Sequence, residues 1–352
     1  MSRFLRSPNP FFLAFLFCAF GVTPKVAASE SVELPDERPF SAPLLLRNDC
    51  PLYLTFFSTA FPDRPGTTSA HQWAWEFGYL SSNYIIEQHN VTESDRIVVD
   101  DEIERFEFSL RYGLRDDLEI AVTVPYLAMG GGYMDDFIQS FEDTFGFTTP
   151  GARESRKSND FQYLFRVDGN DLISKSDESI SGFADIPIQL KYRFRNQTDG
   201  WFPYAAVRGI LKVPSASGPL LGNERFDGGF GLLAEQPIGG RIRLLTNIDV
   251  TSTHLPTALK TVDIDPVMVS GSVGFEHFLT NRASWRAQMT MATNPYPKFH
   301  QDISALNHIP MGIGVGWVYR FSKRAAVKLT VGENFYSAWP DFAWSASLQK
   351  EF

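Results

Sequence analysis

Hydrophobic and polar residues alternate strictly along most of the chain from residue 69 onward. In "RFEFSLRYGL", residues 105–114, aromatic and leucine side chains share one face and charged side chains the other. "IPMGIGVGWVYRF", residues 309–321, follows the same rule, with glycines on its second face. A period of two is typical of strands with two unlike sides. It predicts about twelve strands, at residues 69–84, 96–114, 116–130, 182–196, 200–216, 223–239, 240–253, 265–280, 282–297, 309–323, 325–337 and 340–352.

The three glycines of this stretch, Gly312, Gly314 and Gly316, also suggest a nucleotide-binding loop. Such a loop joins a strand to a helix. Here the alternation continues through the glycines to Phe321. We therefore interpret the glycines as positions that face a barrel lumen and leave space there.

The connections between predicted strands alternate between short and long. "RDD", "QTDG", "PIGG", "TNR" and "SKR" are short, and longer links separate them, including one of about fifty residues after the third strand. Tight periplasmic turns and long external loops alternate in this way in outer-membrane proteins. The sequence predicts an all-β fold, a transmembrane antiparallel up-and-down β-barrel of about 12 strands, within a range of 10 to 14.

A soluble barrel with its apolar face inside is the alternative. Most predicted strands exceed the roughly nine to eleven residues that cross a membrane at a tilt. Aromatic residues lie at both ends of the apolar face, as in interfacial girdles. Each unpaired charge of the other face would cost several kcal/mol in a dry core. We therefore expect Trp317 and Phe321 to point outward into lipid.

Residues 1–28 have the features of a signal peptide. Arg3 and Arg6 precede the apolar run "FFLAFLFCAFGV", and Val26 and Ala28 form a small-residue cleavage site. We expect residues 29–68 to form an N-terminal periplasmic or plug segment, or to supply an extra strand, and residues 69–352 to form the barrel. The net charge of −9 disfavours a nucleic-acid partner.

Many inward positions near the predicted periplasmic turns are basic. One interpretation is a constriction that favours anionic or zwitterionic solutes. The other is a ladder of ion pairs that stiffens the barrel. The arginines of this predicted lumen cluster are Arg111, Arg193, Arg195, Arg241, Arg243, Arg286 and Arg320.

The long link contains "GGGYMDDFIQSFEDTFGF", whose apolar residues follow helical spacing. It predicts a short amphipathic helix in an external loop, as a lid, a lumen plug or a helix on the outer leaflet. The apolar residues assigned to this lid helix are Met134, Phe137, Ile138 and Phe141.

The last strand, "DFAWSASLQKEF", ends on Phe352. Here the chain resembles outer-membrane β-barrel proteins, whose terminal aromatic residue is an assembly signal for the barrel-assembly machinery. "RNDCPLYLTFF", "GLRDDLEIAVTVPYLAMGGGYMDDFIQSF" and "DIPIQLKYRF" resemble an uncharacterised family of Gram-negative outer-membrane proteins. The resemblance implies a bacterial outer-membrane location, with membrane lipids and the assembly machinery as partners. It implies no catalytic residue.

We expect a narrow pore or transporter for small solutes with a basic lumen. The alternatives are an outer-membrane enzyme, lipid-modifying or hydrolytic, and a non-conducting structural or receptor barrel. His300, Asp302 and His308 share one external loop, but their spacing matches no standard zinc site. We therefore predict no catalytic residue, cofactor or metal.

Overall fold

Fifteen strands make up the regular structure of the described chain. The computed structural model describes residues 43–50, 52–53, 62–134, 136, 160–176, 178–195, 203–218, 220–238, 240–296, 303–334 and 339–352. The strands are β1 (Trp73–His89), β2 (Arg96–Arg115), β3 (Leu118–Gly130), β4 (Gln162–Val167), β5 (Asn170–Ser176), β6 (Ile180–Phe183), β7 (Ile186–Arg195), β8 (Tyr204–Val213), β9 (Asp227–Ile238), β10 (Ile242–Ser252), β11 (Val267–Phe278), β12 (Ala283–Ala292), β13 (Met311–Ser322), β14 (Ala325–Asn334) and β15 (Phe342–Glu351). Short helical turns cover Thr257–Leu259 and Ser304–Asn307.

Twelve of these strands form a closed antiparallel barrel. The ring closes because β1 pairs with β2 on one side and with the last strand, β15, on the other. β3 pairs with β2 and β7, and β7 to β15 follow in chain order. The predicted up-and-down barrel and its strand number are confirmed.

The strands β4, β5 and β6 lie outside the ring. β4 and β5 lie within the link that the sequence pattern left without strands, and β6 overlaps the start of the strand predicted at residues 182–196. β4 pairs with the first residues of β2, Arg96 to Asp100, and β5 pairs with β4. β6 pairs with the last part of β3, Tyr126 to Met129. Asp168 and Gly169, between β4 and β5, have φ angles of 50° and 77°. Positive φ at both central residues is the geometry of a tight hairpin turn, and Asp-Gly is a sequence typical of it.

Side-chain burial alternates along the strands and assigns the two faces. Trp317 and Phe321 are 45% and 54% exposed, whereas Arg286 and Glu276 on neighbouring strands are 1% and 0% exposed. The apolar face therefore points outward and the charged face points into the lumen, as predicted. A closed barrel with this exterior lies in a bacterial outer membrane.

Aromatic pairs mark both edges of the outward apolar belt. Trp73 and Tyr112 pack at one end, with ring centroids 4.5 Å apart, and Tyr126 and Phe183 at the other, 5.4 Å apart. The short turns after β2, β9, β11 and β13 all lie at the first end. We call it the periplasmic end and the opposite end the mouth. Among the described helices, none has the length and apolarity needed to cross a bilayer.

Phe352 follows directly after β15, the strand that closes the ring. Its backbone N–H donates to the Trp73 carbonyl over 2.8 Å, and the Lys350 ammonium lies 4.7 Å from its ring centroid. Its role as an assembly signal stays a prediction.

Candidate functional site

The described residues between positions 43 and 68 lie inside the barrel. Residues 43–50, 52–53 and 62–68, which we call the lumen segment, form no strand. Lys328, near the periplasmic end of β14, donates from its ammonium to the Pro43 carbonyl (3.4 Å). Tyr296, near the mouth, donates from its hydroxyl to the Leu52 carbonyl. Thr68 then contacts Glu119, beside the periplasmic turn after β2. The described parts of this segment therefore run up to the mouth and back down.

Leucines of the lumen segment pack against glycines of the wall. A Cβ on Gly314 would lie 2.8 Å from Leu46 Cδ2, and one on Gly78 would lie 2.7 Å from Leu45 Cδ2. A Cβ on Gly316 would overlap Leu44. Leucine side chains therefore occupy the space that Gly314 and Gly316 of β13 leave, whereas the Trp339 indole occupies the space at Gly312.

Backbone hydrogen bonds fix the leucines to the same side of the wall. The Leu44 N–H donates to Gln288 Oε1 (3.0 Å), and the Ser345 hydroxyl donates to the Leu45 carbonyl (2.7 Å). These partners lie on β12 and β15, which flank the glycine-bearing strands β13 and β14. The wall and the lumen segment thus satisfy each other's buried polar groups.

Asp63 of the lumen segment joins a buried charge cluster on β2, β3 and β7. Its carboxylate lies 3.2 Å from Arg111 Nη1 and 3.0 Å from Lys191 Nζ, and Lys191 also pairs with Glu119 at 3.0 Å. Burial disfavours the charged carboxylate, but Arg111, Lys191 and Arg208 outweigh it and hold the pKa of Asp63 well below its ordinary value. Asp63 is therefore ionised.

Arg64, the next residue, joins a second cluster. Its Nε donates to Glu235 Oε2 over 2.6 Å, and Arg243 Nη1 lies 3.2 Å from the other oxygen of the same carboxylate. Burial lowers the pKa of Arg64, but Glu235 outweighs it and raises that pKa above its ordinary value. Adjacent residues of the lumen segment thus bind opposite charges on different parts of the wall.

The seven predicted lumen arginines do not form one ring. Arg286 and Arg320 share Glu276, at 2.9 and 2.8 Å, whereas Arg193 donates to Tyr204 (2.9 Å). Arg111 and Arg243 belong to the Asp63 and Glu235 clusters just described. Arg195 and Arg241 lie half-buried at the end of β7 and at the turn before β10. A basic constriction therefore stays a prediction.

The mouth half of the lumen is filled by an apolar core. Leu52, Tyr53 and Cys50 of the lumen segment pack there with side chains of the upper strands and β4. The Tyr84 hydroxyl accepts from the Asp49 N–H (2.6 Å), and the Tyr163 hydroxyl from the Leu52 N–H (3.3 Å). Burial raises the pKa of the Cys50 thiol well above its ordinary value, which makes it a poor nucleophile.

A cavity of about 70 Å³ remains between the lumen segment and the wall. Ser109, Thr123, Pro187 and Gln189 of β2, β3 and β7 are part of its lining, together with Leu44 to Leu46. Its size would accommodate a few water molecules or a small solute.

Of the predicted lid helix, Met134 is described and buried, and its Sδ accepts from the Ser81 hydroxyl (3.7 Å). Glu102 accepts the backbone N–H groups of Tyr133 (2.9 Å) and Met134. Phe137, Ile138 and Phe141 lie outside the described residues, so the lid helix stays a prediction.

Ser252, His254 and Asp227 at the mouth have the residue types of a hydrolase. His254 Nδ1 lies 2.5 Å from Asp227, but the Ser252 hydroxyl also donates to Asp227 (3.3 Å) rather than to His254. A serine nucleophile needs the histidine as its base. Asp227 also pairs with Lys212 (2.9 Å), so the grouping is structural. Within the described residues, no group of three or more His, Cys, Asp or Glu is placed to bind a metal.

Sequence reasoning named residues 29–68 as a plug segment or an extra strand, but it did not identify Leu44, Leu46, Asp63 or Arg64. The signal for the charged pair was present, because Asp63 and Arg64 are adjacent charges in "FPDRPG". No pattern in the sequence links them to Lys191 or Glu235, which are more than a hundred residues away.

Comparisons with known proteins agree with the geometry. The profile of the family described as "Protein of unknown function (DUF3187)" matches residues 41–352. No curated protein sequence matches this chain. The crystal structure of the COG4313 outer membrane channel from Pseudomonas putida F1 is similar, with a TM-score of 0.56, 11% identity, and coverage of 84% of this chain and 100% of that one. This similarity supports the fold.

Two further structures align with lower scores. The KdgM porin has a TM-score of 0.40 and 6% identity, covering 79% of this chain and 99% of that one. The toluene transporter TodX of Pseudomonas putida has a TM-score of 0.33 and 9% identity, covering 80% and 88%.

Proposed function

This chain belongs to the DUF3187 family of proteins of unknown function, and we propose that it is an outer-membrane channel for small solutes that its own lumen segment closes. The observation that carries the proposal is the double anchoring of that segment, by leucines in glycine sockets and by Asp63 and Arg64 in buried ion pairs. A barrel of the same fold is an outer-membrane channel in Pseudomonas putida, which makes a channel the first function to test.

Release of the lumen segment opens the lumen and changes its charge. Asp63 then leaves Arg111 and Lys191, whose remaining wall partner is Glu119. This part of the open lumen becomes basic and favours anionic or zwitterionic solutes. The predicted basic constriction is therefore a property of the open state.

Filling the glycine sockets in the full-length chain tests this function. Gly314 and Gly332 are paired on β13 and β14, and valine at both would meet the two methyl groups of Leu46, because a Cβ on Gly332 would also overlap that leucine. We expect Gly314→Val/Gly332→Val to displace the segment and to raise ion conductance in planar bilayers, with a reversal potential that favours anions.

Gly274→Val is the matched control. Gly274 is also buried, but a Cβ there would meet Leu245 of the wall at 3.6 Å, an ordinary contact. We expect it to conduct like the native protein. Equal conductance of all three proteins would contradict closure by the lumen segment, and a cation-selective open state would contradict the basic lumen.

A further inference from the structure

The pairing of β3 with β7 stops partway along the wall. These strands pair over five residues, from Leu118 with Tyr192 to Val122 with Ile188. β6 adds four more pairs, so this side of β3 has nine paired residues, against eight between β14 and β15. Above Val122 the pairing stops and resumes as Tyr126 with Phe183 on β6. We call this interruption the seam.

Two prolines explain the interruption. Pro125 lies on β3 and Pro187 on β7, and a proline has no N–H to donate to a neighbouring strand. Polar groups at the start of β7 bond to the residues after β8 and not to β3. The Ile186 N–H donates to the Ser215 hydroxyl (2.9 Å), and the Asp185 carboxylate accepts from the Ser215 N–H (3.0 Å). Within the seam the Ala184 N–H still donates to the Pro125 carbonyl over 3.0 Å, and this bond must break when its strands separate.

Hollow space lies on the inner side of the seam and, on the outer face, beside its β7 edge. Thr123 and Pro187 line the inner cavity beside the lumen segment. Ile188, the next residue, lines a groove of about 480 Å³ on the outer face, which crosses β7 to β11. Gly209 lines this groove, and a Cβ there would have nothing within 4 Å. Ile210 borders both spaces.

We propose that the seam is a lateral portal through which small uncharged apolar solutes exchange between the outer groove and the lumen. The groove is bordered by Ile188, Leu190, Leu211, Phe230 and Val250. A charged solute would lose its hydration on this lipid-facing side at a cost of several kcal/mol, so the portal selects against charge. This inference rests on the proposed function for the inner end of the route, because the lumen segment must move for a solute to pass on.

Cross-linking the seam in the full-length chain tests the portal. Val122→Cys/Ile188→Cys and Tyr126→Cys/Phe183→Cys place disulfides below and above the interruption, between residues paired in register. Thr246→Cys/Val273→Cys is the matched control, also an outward-facing pair, on β10 and β11 and outside the groove lining. The native Cys50 is buried and does not compete.

The probe is N-phenyl-1-naphthylamine, an uncharged dye that fluoresces in membranes, added to Gram-negative host cells that carry each protein in the outer membrane. Its sulfonated relative, 8-anilinonaphthalene-1-sulfonate, is the charged comparison. We expect the native protein to speed entry of the uncharged dye alone. Oxidising both seam disulfides should reduce entry to that of cells without the protein, reduction should restore it, and the control disulfide should have no effect.

Two further variants test the portal without depending on disulfide formation. Pro125→Val/Pro187→Val restores two N–H donors to the seam, and Gly209→Leu fills the outer groove without touching the lumen. Both should slow dye entry and leave ion conductance unchanged. Entry that persists in the cross-linked or substituted proteins, or no entry through the native protein, would overturn the portal. A failure of the proposed channel function appears separately, as absent conductance in the glycine-filled variant.

Discussion

The two sides of the lumen differ in how the wall meets the lumen segment. On β13, β14 and β1, glycines let the wall approach, and Leu44 to Leu46 fill the space directly. On β2, β3 and β7, long charged side chains reach Asp63, and a cavity and the seam remain. Glycines in the wall therefore let the lumen segment pack closely against it. Long charged side chains hold the segment farther from the wall and leave room between them for water or solute.

The two sides therefore contribute to closure in different ways. Packing against glycine is insensitive to pH and salt, and it fixes where the lumen segment lies. The buried ion pairs make removal of either partner costly, because the other charge would be left uncompensated. The following substitutions act on one side at a time.

The largest effect is expected on the charged side. Asp63→Asn leaves Arg111 and Lys191 with Glu119 alone, and breaking a buried pair costs about 3–5 kcal/mol. Open probability in bilayer recordings should rise by about a hundredfold or more, since each 1.4 kcal/mol is a factor of about ten. Asp171→Asn removes a 2.5 Å pair with the exposed Arg166 and should change nothing measurable. A similar response from both variants would contradict the role of Asp63.

A somewhat smaller effect is expected on the glycine side. Leu46→Ala empties the space over the paired glycines Gly314 and Gly332, and truncating a buried leucine costs about 2–5 kcal/mol. We expect the low end, because the segment can shift toward the wall. Gly332→Val should partly restore closure in the Leu46→Ala protein, although it opens the native one. Additive effects of the two changes would show that the side chains do not meet. Leu232→Ala, on the lipid face, serves as the control.

Ser345→Ala should have a modest effect. It removes the hydroxyl that donates to the Leu45 carbonyl at 2.7 Å, a hydrogen bond with a net worth of about 1 kcal/mol. Open probability should rise by about fivefold. No change would mean that the leucines alone fix this stretch.

Acidification should have the smallest effect. The pKa of Asp63 lies below its ordinary value in the folded protein, so its stabilising contribution is present above the unfolded pKa of about 3.9. It is lost only as the pH falls through the lower, folded pKa. Conductance of the native protein should therefore be the same at pH 7 and pH 5. Opening within this range would mean that another group controls closure.

The sequence predicted the barrel because each strand carries its own two-residue period, which needs no knowledge of its neighbours. The lumen segment has no such period, and its partners lie on strands far along the chain. The three glycines of β13 indicated a strand face without side chains, but no pattern in the sequence indicates that Leu44 and Leu46 pack against it. Pro125 and Pro187 were readable, since a proline inside a strand pattern indicates an edge or a bulge. The Asp168–Gly169 turn was readable as well.

The most direct test of closure by the lumen segment is a disulfide between Leu46→Cys and Gly332→Cys, in a Cys50→Ser background. A Cβ on Gly332 would lie 3.5 Å from the Leu46 Cγ, which is within reach of a disulfide. We predict spontaneous cross-linking, loss of all channel openings when oxidised, and their return on reduction, whereas Leu46→Cys with Gly271→Cys on β11 should stay uncross-linked. Free thiols at positions 46 and 332, or openings that persist in the cross-linked protein, would contradict the account.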